Sequence, residues 1–273
     1  MSEELLARIA QALERLAPAS ADAIDWALHP AYVWDNGGPR AVEALVAPPL
    51  ALLRGIDPQK EAVVGNVTRH AAGHAAHDML LWGSRGMGKS ALLRAGIAAA
   101  QAALPGSIAL VQVAPDALSG LTALFTKLGK VSRRFVVYID DLGFEDGDAT
   151  GPRQLRSWLE GGVEARPGNV RLAVTANRRA IVARHLSEQD DPINPRDAID
   201  DKLALADRFG LSIGFHACSQ DDYLAIIEGY AAEYGLSFTE SDALEWSKRR
   251  GARSGRVAWQ YVTELAGRAG QSL

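Results

Sequence analysis

The segment Gly83-Ser84-Arg85-Gly86-Met87-Gly88-Lys89-Ser90 constrains the fold of this chain more than any other feature of its sequence. It fits the pattern G-x-x-x-x-G-K-[ST], whose backbone N–H groups wrap around phosphate oxygens. An apolar run precedes it, and a helical pattern follows from Lys89. The N-terminus of such a helix completes an anion site. The segment therefore predicts a nucleoside triphosphate site at the end of a buried strand in an α/β fold.

Each position of this phosphate loop has a role in holding the ligand. The glycines let the backbone curl, Lys89 is placed to reach the β- and γ-phosphates, and Ser90 is placed to ligate Mg²⁺. ATP is favoured over GTP, because the chain has no Asn-Lys-x-Asp string to read a guanine edge. The residues predicted to contact the nucleotide are the loop and the next helical residue: Gly83, Ser84, Arg85, Gly86, Met87, Gly88, Lys89, Ser90 and Ala91.

Apolar runs alternate with helical patterns up to about residue 217. Strands are predicted over residues 79–82, 107–113, 135–139, 170–175 and 211–215. Apolar strands separated by helices are typical of a parallel sheet that is covered on both faces. Beyond residue 217 only helical patterns remain. We therefore predict an α/β fold with N-terminal helices in residues 1–50, a five-stranded parallel αβα sandwich in 51–217, and a small α-helical domain in 218–273.

Composition narrows the class of protein. Of the 273 residues, 48% are hydrophobic and 23% are charged, which is ordinary for a globular protein. The net charge of −4 does not indicate nucleic-acid binding, because dedicated binders are usually basic. The single cysteine, Cys218, rules out an internal disulfide. No apolar stretch is long enough to span a membrane and the start has no signal-peptide pattern, so we expect a cytoplasmic protein without membrane contact.

Two predicted strands end in polar residues that suit phosphate chemistry. Asp140 and Asp141 follow the run at 135–139, and a strand tipped by a carboxylate is what Mg²⁺ needs beside a phosphate loop. Asp140 is expected to hold the metal, mainly through water, and Asp141 to orient the attacking water. Glu145 is an alternative for that second role. Asn177 ends the strand at 170–175 and is placed to hydrogen-bond the water or the γ-phosphate.

The order of these motifs resembles the AAA+ ATPases. After the phosphate loop, the paired acids and Asn177 come Asp207-Arg208-Phe209-Gly210 and, in the helical tail, Gly251-Ala252-Arg253. The resemblance implies that Asn177 is the residue called sensor 1 and Arg208 the arginine finger. It also implies that Arg253 is the sensor 2 arginine of a helical lid, with Arg256 as a rival one helical turn away. Many members of that family carry Glu where this chain has Asp141.

A closer resemblance is to a bacterial family of predicted AAA+ ATPases catalogued as a domain of unknown function. It covers residues 31–265 and rests on Gly55-Ile56-Asp57, Asp140-Asp141-Leu142, Leu159-Glu160-Gly161-Gly162, Ala176-Asn177-Arg178-Arg179 and Asp207-Arg208-Phe209-Gly210. The resemblance implies that ATP lies between the core and the lid, with Ile56 near the adenine. It also implies a homo-oligomer, because an arginine finger completes the site of a neighbouring subunit, and an unknown protein partner.

Three functions share these motifs. The first is Mg²⁺-dependent hydrolysis of ATP, which the set of Lys89, Ser90, Asp140, Asn177, Arg208 and Arg253 favours. The second is a switch or loader that holds ATP and turns it over slowly, which the short side chain of Asp141 favours. The third, a small-molecule kinase, does not explain the helical tail. A zinc site at His70, His74 and His77 is disfavoured, because Gly73 interrupts the helix between them.

Overall fold

The computed structural model describes residues 24–143, 155–159, 166–177 and 206–273. Its centre is a seven-stranded sheet in the order β2-β1-β4-β5-β6-β3-β7. Every neighbouring pair is parallel except β1 and β2. The strands are β1 (Ala31–Asp35), β2 (Gly38–Val42), β3 (Met79–Gly83), β4 (Ile108–Val113), β5 (Arg134–Ile139), β6 (Val170–Ala176) and β7 (Leu211–Phe215).

The α/β fold is confirmed, but the sheet has two more strands than the five predicted. Strands β3 to β7 correspond to the five apolar runs. The additional hairpin, β1 and β2, lies within residues 1–50, where only helices were expected, and it pairs with β4 through β1. The turn at Asn36-Gly37 is the reason: it joins two short strands, and β1 is rich in the aromatic and β-branched residues that favour strands.

In the described part of the chain, six helices lie close to ranges that helical spacing predicts, which are residues 58–72, 89–103, 117–128, 221–234, 240–249 and 256–269. These helices are α1 (Asp57–Ala71), α2 (Lys89–Ala103), α3 (Leu121–Leu128), α4 (Gln220–Tyr234), α5 (Glu240–Arg250) and α6 (Gly255–Arg268). Only α3 is shorter than its pattern suggested, because a 3-10 turn (Pro115–Gly120) occupies the first part of that segment. Each lid helix begins at a side chain that accepts a backbone N–H: Ser219 for α4, Thr239 for α5 and Ser254 for α6.

Two hydrophobic clusters cover the two faces of the sheet. Helices α1 and α2 pack on one face through residues such as Val63 and Leu92, and the same cluster continues into the lid through Ile227 and Val262. Helix α3 and residues 155–159 cover the other face. The chain is therefore an αβα sandwich whose lid shares one core with the α1–α2 layer. Among the described helices, none has the length and apolar character needed to cross a bilayer.

Several expectations fall outside the described residues. They are the part of the N-terminal helical segment before residue 24, the alternative acid Glu145, most of the Leu159-Glu160-Gly161-Gly162 string, and Arg178 and Arg179. The histidines of the disfavoured zinc site are described. His70 is buried and its ring nitrogen Nε2 lies 3.1 Å from the carbonyl oxygen of Phe135, whereas His74 and His77 are exposed.

Candidate functional site

A cleft of about 600 Å³ opens at the carboxyl ends of β3, β5 and β6, where the lid faces the sandwich. The phosphate loop forms its floor, and helices α4 and α6 form one wall. The described residues that line it include five basic side chains and two acidic ones. The cleft is therefore cationic in a chain whose net charge is −4, which suits a polyanionic ligand.

The phosphate loop is shaped by backbone that only glycine adopts easily. Gly83, Gly86 and Gly88 all have positive φ angles, and helix α2 begins directly after Gly88. The ammonium of Lys89 donates to the carbonyl oxygens of Gly83 and Ser84, at 2.7 and 2.9 Å. Burial lowers the pKa of Lys89, while the carboxylates of Asp141 and Asp140 act in the opposite direction. The amine is thus held inside the loop, within reach of phosphates bound there.

Asp140 is the centre of a hydrogen-bond cluster at the end of β5. One of its carboxylate oxygens accepts the hydroxyls of Ser90, at 2.9 Å, and of Thr175, at 2.6 Å. Burial raises the pKa of Asp140, but the hydrogen bonds from the hydroxyls of Thr175 and Ser90 lower it, and the net shift is downward. The carboxyl group is therefore kept ionised.

These residues fit a magnesium ion. Mg²⁺ prefers hard oxygen ligands and is commonly bound by one or two carboxylates together with substrate phosphates and water. Ser90 and Asp140 supply a hydroxyl and an ionised carboxylate that already touch each other. When bound, the ion would neutralise charge on the β- and γ-phosphates.

Thr175 is a site residue that the sequence reasoning missed. Its side chain is almost fully buried, and its hydroxyl also accepts the backbone N–H of Asp141 at 2.8 Å. Thr175 lies on β6, next to β5, two residues before Asn177. That spacing was the available signal, because residues two apart on a strand lie on the same face.

Asp141 and Asn177 are in direct contact. The amide nitrogen of Asn177 donates to one carboxylate oxygen of Asp141, and Arg85 approaches the other at 3.8 Å. Asp141 also has a φ of 50°, the left-handed region that aspartate tolerates better than most residues do. This conformation directs the backbone N–H to Thr175 while the side chain remains at the edge of the cleft.

The other end of the cleft is apolar and aromatic. It is lined by Leu52, Leu53, Ile56, Ile226, Tyr230 and Trp259. Ile56 was predicted to lie near an adenine, and the structure places it here. The ring of Trp259 packs against Tyr230 with the centroids 4.9 Å apart. Arg54 fixes this segment to the lid, because its guanidinium bonds the carbonyl of Ala225 and the carboxylate of Glu228.

The lid touches the phosphate loop at the start of α6. The backbone N–H of Arg256 donates to the carbonyl oxygen of Gly86 at 3.1 Å, and a Cβ atom at Gly86 would lie 2.9 Å from the hydroxyl of Ser254. Arg256 lines the cleft. Arg253, the predicted sensor 2 residue, does not line it: its guanidinium donates to Gln220 at 3.3 Å. The structure therefore places the rival arginine at the site.

Arg208 lies away from its own cleft. It precedes β7, which begins at Leu211, whereas the cleft lies at the carboxyl ends of the strands. The other predicted residues meet at the cleft: Arg85, Gly86, Met87, Gly88, Lys89, Ser90, Ala91, Asp140, Asp141, Asn177 and Ile56 all line it. Gly83 and Ser84 lie just behind them and present their carbonyls to Lys89.

Solved structures with this architecture are AAA+ proteins. The Thermotoga maritima RuvB Holliday junction branch migration motor is 17% identical, with a TM-score of 0.54 over 84% of this chain and 68% of that one. The Aeropyrum pernix ORC2 protein, solved as ADPNP and ADP complexes, is 15% identical, with a TM-score of 0.54 over 83% and 66%. The Aeropyrum pernix ORC1 protein in complex with DNA is 15% identical, with a TM-score of 0.53 over 84% and 66%.

These likenesses show that the chain has the AAA+ P-loop fold. No curated protein matches the sequence. One family model, described as "Protein of unknown function (DUF815)", matches residues 27–269, which is most of the chain. The chain therefore belongs to the DUF815 family and is a member with the AAA+ fold.

Proposed function

We propose that this protein binds Mg²⁺ and ATP in the cleft and hydrolyses ATP as a homo-oligomer. One observation carries the proposal: Lys89, the Ser90–Asp140–Thr175 cluster and the Asp141–Asn177 pair all meet at the carboxyl ends of neighbouring strands, beside the start of helix α2. A charged, partly water-excluded site of this kind can stabilise the transferred phosphoryl group chiefly by position and electrostatics.

Each residue has a role that follows from its position in the cleft. The triphosphate lies on the loop, where Lys89 exchanges its bonds to loop carbonyls for bonds to the β- and γ-phosphates. Arg256 reaches the phosphates from the lid. Asp141 and Asn177 orient a water molecule for attack on the γ-phosphorus. The base lies at the apolar end, beside Ile56 and Tyr230. ATP fills the whole length of the cleft and so connects core and lid.

The position of Arg208 supports the proposed oligomer. Because that arginine lies at the opposite end of the strands from its own cleft, a part in phosphoryl transfer would place it in the site of a neighbouring copy. An arginine supplied in this way neutralises charge that develops on the γ-phosphate. We assign Arg208 that role in trans.

The test is phosphate release from Mg-ATP over a wide range of protein concentration. Specific activity that rises with concentration supports an assembled ATPase. Mixtures of Arg208→Ala and Lys89→Ala subunits then test the action in trans, because each subunit retains what the other has lost. Recovery of activity in the mixture supports the assignment, and inactivity of every mixture rejects it.

A second candidate is a switch that holds ATP with slow turnover. The observation that favours it concerns the side chain of Asp141. This side chain is one methylene shorter than that of glutamate, and its carboxylate contacts both Asn177 and Arg85. Tight ATP binding with negligible phosphate release at every concentration would select this candidate. Transfer of the γ-phosphate to an acceptor other than water would instead identify a kinase.

The partner and the location remain predictions. A protein partner fits an AAA+ module that changes shape with its nucleotide. The similar ORC1 structure is a complex with DNA, but the net charge of −4 does not favour DNA as a partner here. A change in the rate of phosphate release from Mg-ATP on adding duplex DNA would indicate that DNA is a partner. We place the protein in the cytoplasm.

A further inference from the structure

Arg85 is a charged residue at the third position of the phosphate loop, and it lines the cleft. Its side chain is 75% exposed, so folding does not require its burial. A neutral small residue would satisfy the loop equally well, because the phosphate contacts of such a loop come from its backbone, its lysine and its serine. The backbone conformation of the loop therefore does not explain why this position is an arginine.

The guanidinium of Arg85 reaches across the cleft toward the catalytic acid. Its Nη2 lies 3.8 Å from Oδ2 of Asp141, and the other oxygen of that carboxylate accepts from Asn177. An exposed ion pair at this distance contributes little to stability. The contact instead places a mobile positive charge between the loop and the residues that would orient the attacking water.

The same charge acts on the rest of the phosphate site. Arg85, Lys89 and Arg256 all line the same cleft. Three cationic side chains therefore face one space and repel one another. A γ-phosphate placed among these three cations would relieve that repulsion, because its oxygens carry the compensating charge.

We propose that Arg85 is a catalytic arginine that each chain supplies to its own γ-phosphate. When ATP is bound, the guanidinium leaves Asp141 and donates to oxygens of the γ-phosphate. This frees the Asp141 carboxylate for the water molecule, so one movement both neutralises the phosphate and activates the acid. The inference deepens the proposed function and rests on it.

The chemical step balances without another reactant. The oxygen of the water molecule bonds to the γ-phosphorus, and the bond from that phosphorus to the β,γ-bridging oxygen breaks with its electron pair on ADP. The proton of the water passes to Asp141 and then to solvent. Arg85 remains charged throughout and stabilises the charge on the phosphoryl oxygens.

Equilibrium binding tests the contact with the γ-phosphate without any turnover. The probes are Mg-ADP and the Mg complex of β,γ-imido-ATP, titrated into the full chain, Arg85→Ala and Arg85→Lys. We expect Arg85→Ala to lower the preference for the triphosphate by about tenfold or more, with ADP affinity unchanged within about threefold. Arg85→Lys should recover part of the preference. Arg249→Ala, an exposed arginine paired with Glu245 on α5, is the matched control.

Steady-state phosphate release supplies the second readout. Arg85→Ala should lower kcat by about 10²- to 10³-fold with little change in KM. Equal losses of ADP and triphosphate affinity would mean that Arg85 only shapes the loop, and this overturns the proposal. Unchanged or increased turnover with an unchanged triphosphate preference overturns it as well. A wild-type chain that binds both nucleotides but releases no phosphate rejects hydrolysis, while the binding preference still decides the role of Arg85.

Discussion

A single buried hydroxyl fixes the relative positions of the two acids. Thr175 donates to the carboxylate of Asp140 and accepts the N–H of Asp141, so one side chain joins the acid proposed to hold the metal to the acid proposed to orient the water. Groups that orient ligands in this way often matter nearly as much as the ligands themselves. This positioning acts within the sheet, because β6, which carries Thr175, lies between β5 and β3.

Replacing this hydroxyl should weaken metal use while ATP binding remains. In Thr175→Val the side chain keeps its shape, but Asp140 loses a hydrogen bond that lowers its pKa, and the N–H of Asp141 loses its acceptor. We expect the Mg²⁺ concentration for half-maximal phosphate release to rise about 10- to 100-fold. Thr175→Ser retains the hydroxyl and serves as the control. Equal Mg²⁺ dependence in the valine and serine variants would contradict the assignment.

The two arginines at the start of the lid helix should differ sharply. Arg256 lines the cleft, whereas Arg253 bonds Gln220 outside it. Removing a positive charge from the phosphate site should lower kcat/KM for ATP by about 10²-fold in Arg256→Ala, whereas Arg253→Ala should stay within about threefold of wild type. Steady-state kinetics of both variants, with unfolding curves to verify folding, measure this. The reverse order would restore Arg253 as the residue on the phosphates.

Among the structural elements, strands β3 and β7 approach too closely for any side chain at the end of β3. The position of a Cβ atom on Gly83 lies 2.1 Å from the carbonyl oxygen of Phe215, and φ at Gly83 is +123°. The N–H of Ser84 donates to that same oxygen at 2.9 Å. The first residues of the phosphate loop are therefore held against Phe215 at the end of β7, and this contact positions the loop.

Adding one methyl group at this contact should cost stability and nucleotide binding together. Gly83→Ala forces β3 and β7 apart, and we expect a loss of more than about 3 kcal/mol in the free energy of unfolding. Gly106→Ala, at a φ of +76° with nothing within 4 Å of the added methyl, controls for backbone strain alone. Urea unfolding of both variants separates the two causes. Similar losses in both would show that strain, and not the strand contact, sets the cost.

The sequence predicted the elements that carry their own periodicity. Strands β3 to β7 and helices α1, α2 and α4 to α6 appear as apolar runs or helical spacings, so their bounds agree within a few residues. The hairpin of β1 and β2 was missed because β2 contains glycine, proline and arginine and has no apolar run that would indicate a strand. Its strand character depends on pairing with β4, and sequence spacing does not report that pairing.

The same difference applies to the residues of the candidate site. The phosphate loop and the strand-end acids could be predicted, because their chemistry lies in consecutive residues. The places of Thr175 and Arg256 were harder to predict, since both depend on contacts between separate elements: β6 with β5, and α6 with the phosphate loop. The spacing of Gly251-Ala252-Arg253 pointed to a residue that lies before the start of α6, because Ser254 caps that helix.

For the molecule as a whole, one buried histidine contributes to the way stability responds to acid. His70 is 2% exposed and joins the end of α1 to the carbonyl oxygen of Phe135 on β5. Burial lowers the pKa of His70 from 6.5 to about 4. Between these two values the unfolded chain takes up a proton that the folded chain refuses, so this contribution to stability is complete above pH 6.5 and is lost as the pH falls toward 4.

The loss should amount to roughly 3 kcal/mol over that range, at about 1.4 kcal/mol per pH unit. His70→Gln keeps a donor for the Phe135 carbonyl but does not titrate, so its stability should fall less between pH 6.5 and 4.5. Urea unfolding of both proteins at several pH values measures the difference. The prediction is contradicted if the two curves of stability against pH run parallel, because carboxylates elsewhere would then account for the whole acid response.

The aromatic end of the cleft gives this protein an optical reporter of its own. Trp259 is 37% exposed, stands between Tyr230 and Tyr234 on the lid, and lines the same cleft as the phosphate loop. An indole so placed changes its surroundings when a base enters or when the lid shifts. The difference in fluorescence between the wild type and Trp259→Phe would isolate it from the other five tryptophans of the six in the chain. Occupancy of the cleft can thus be followed in real time without attaching a dye.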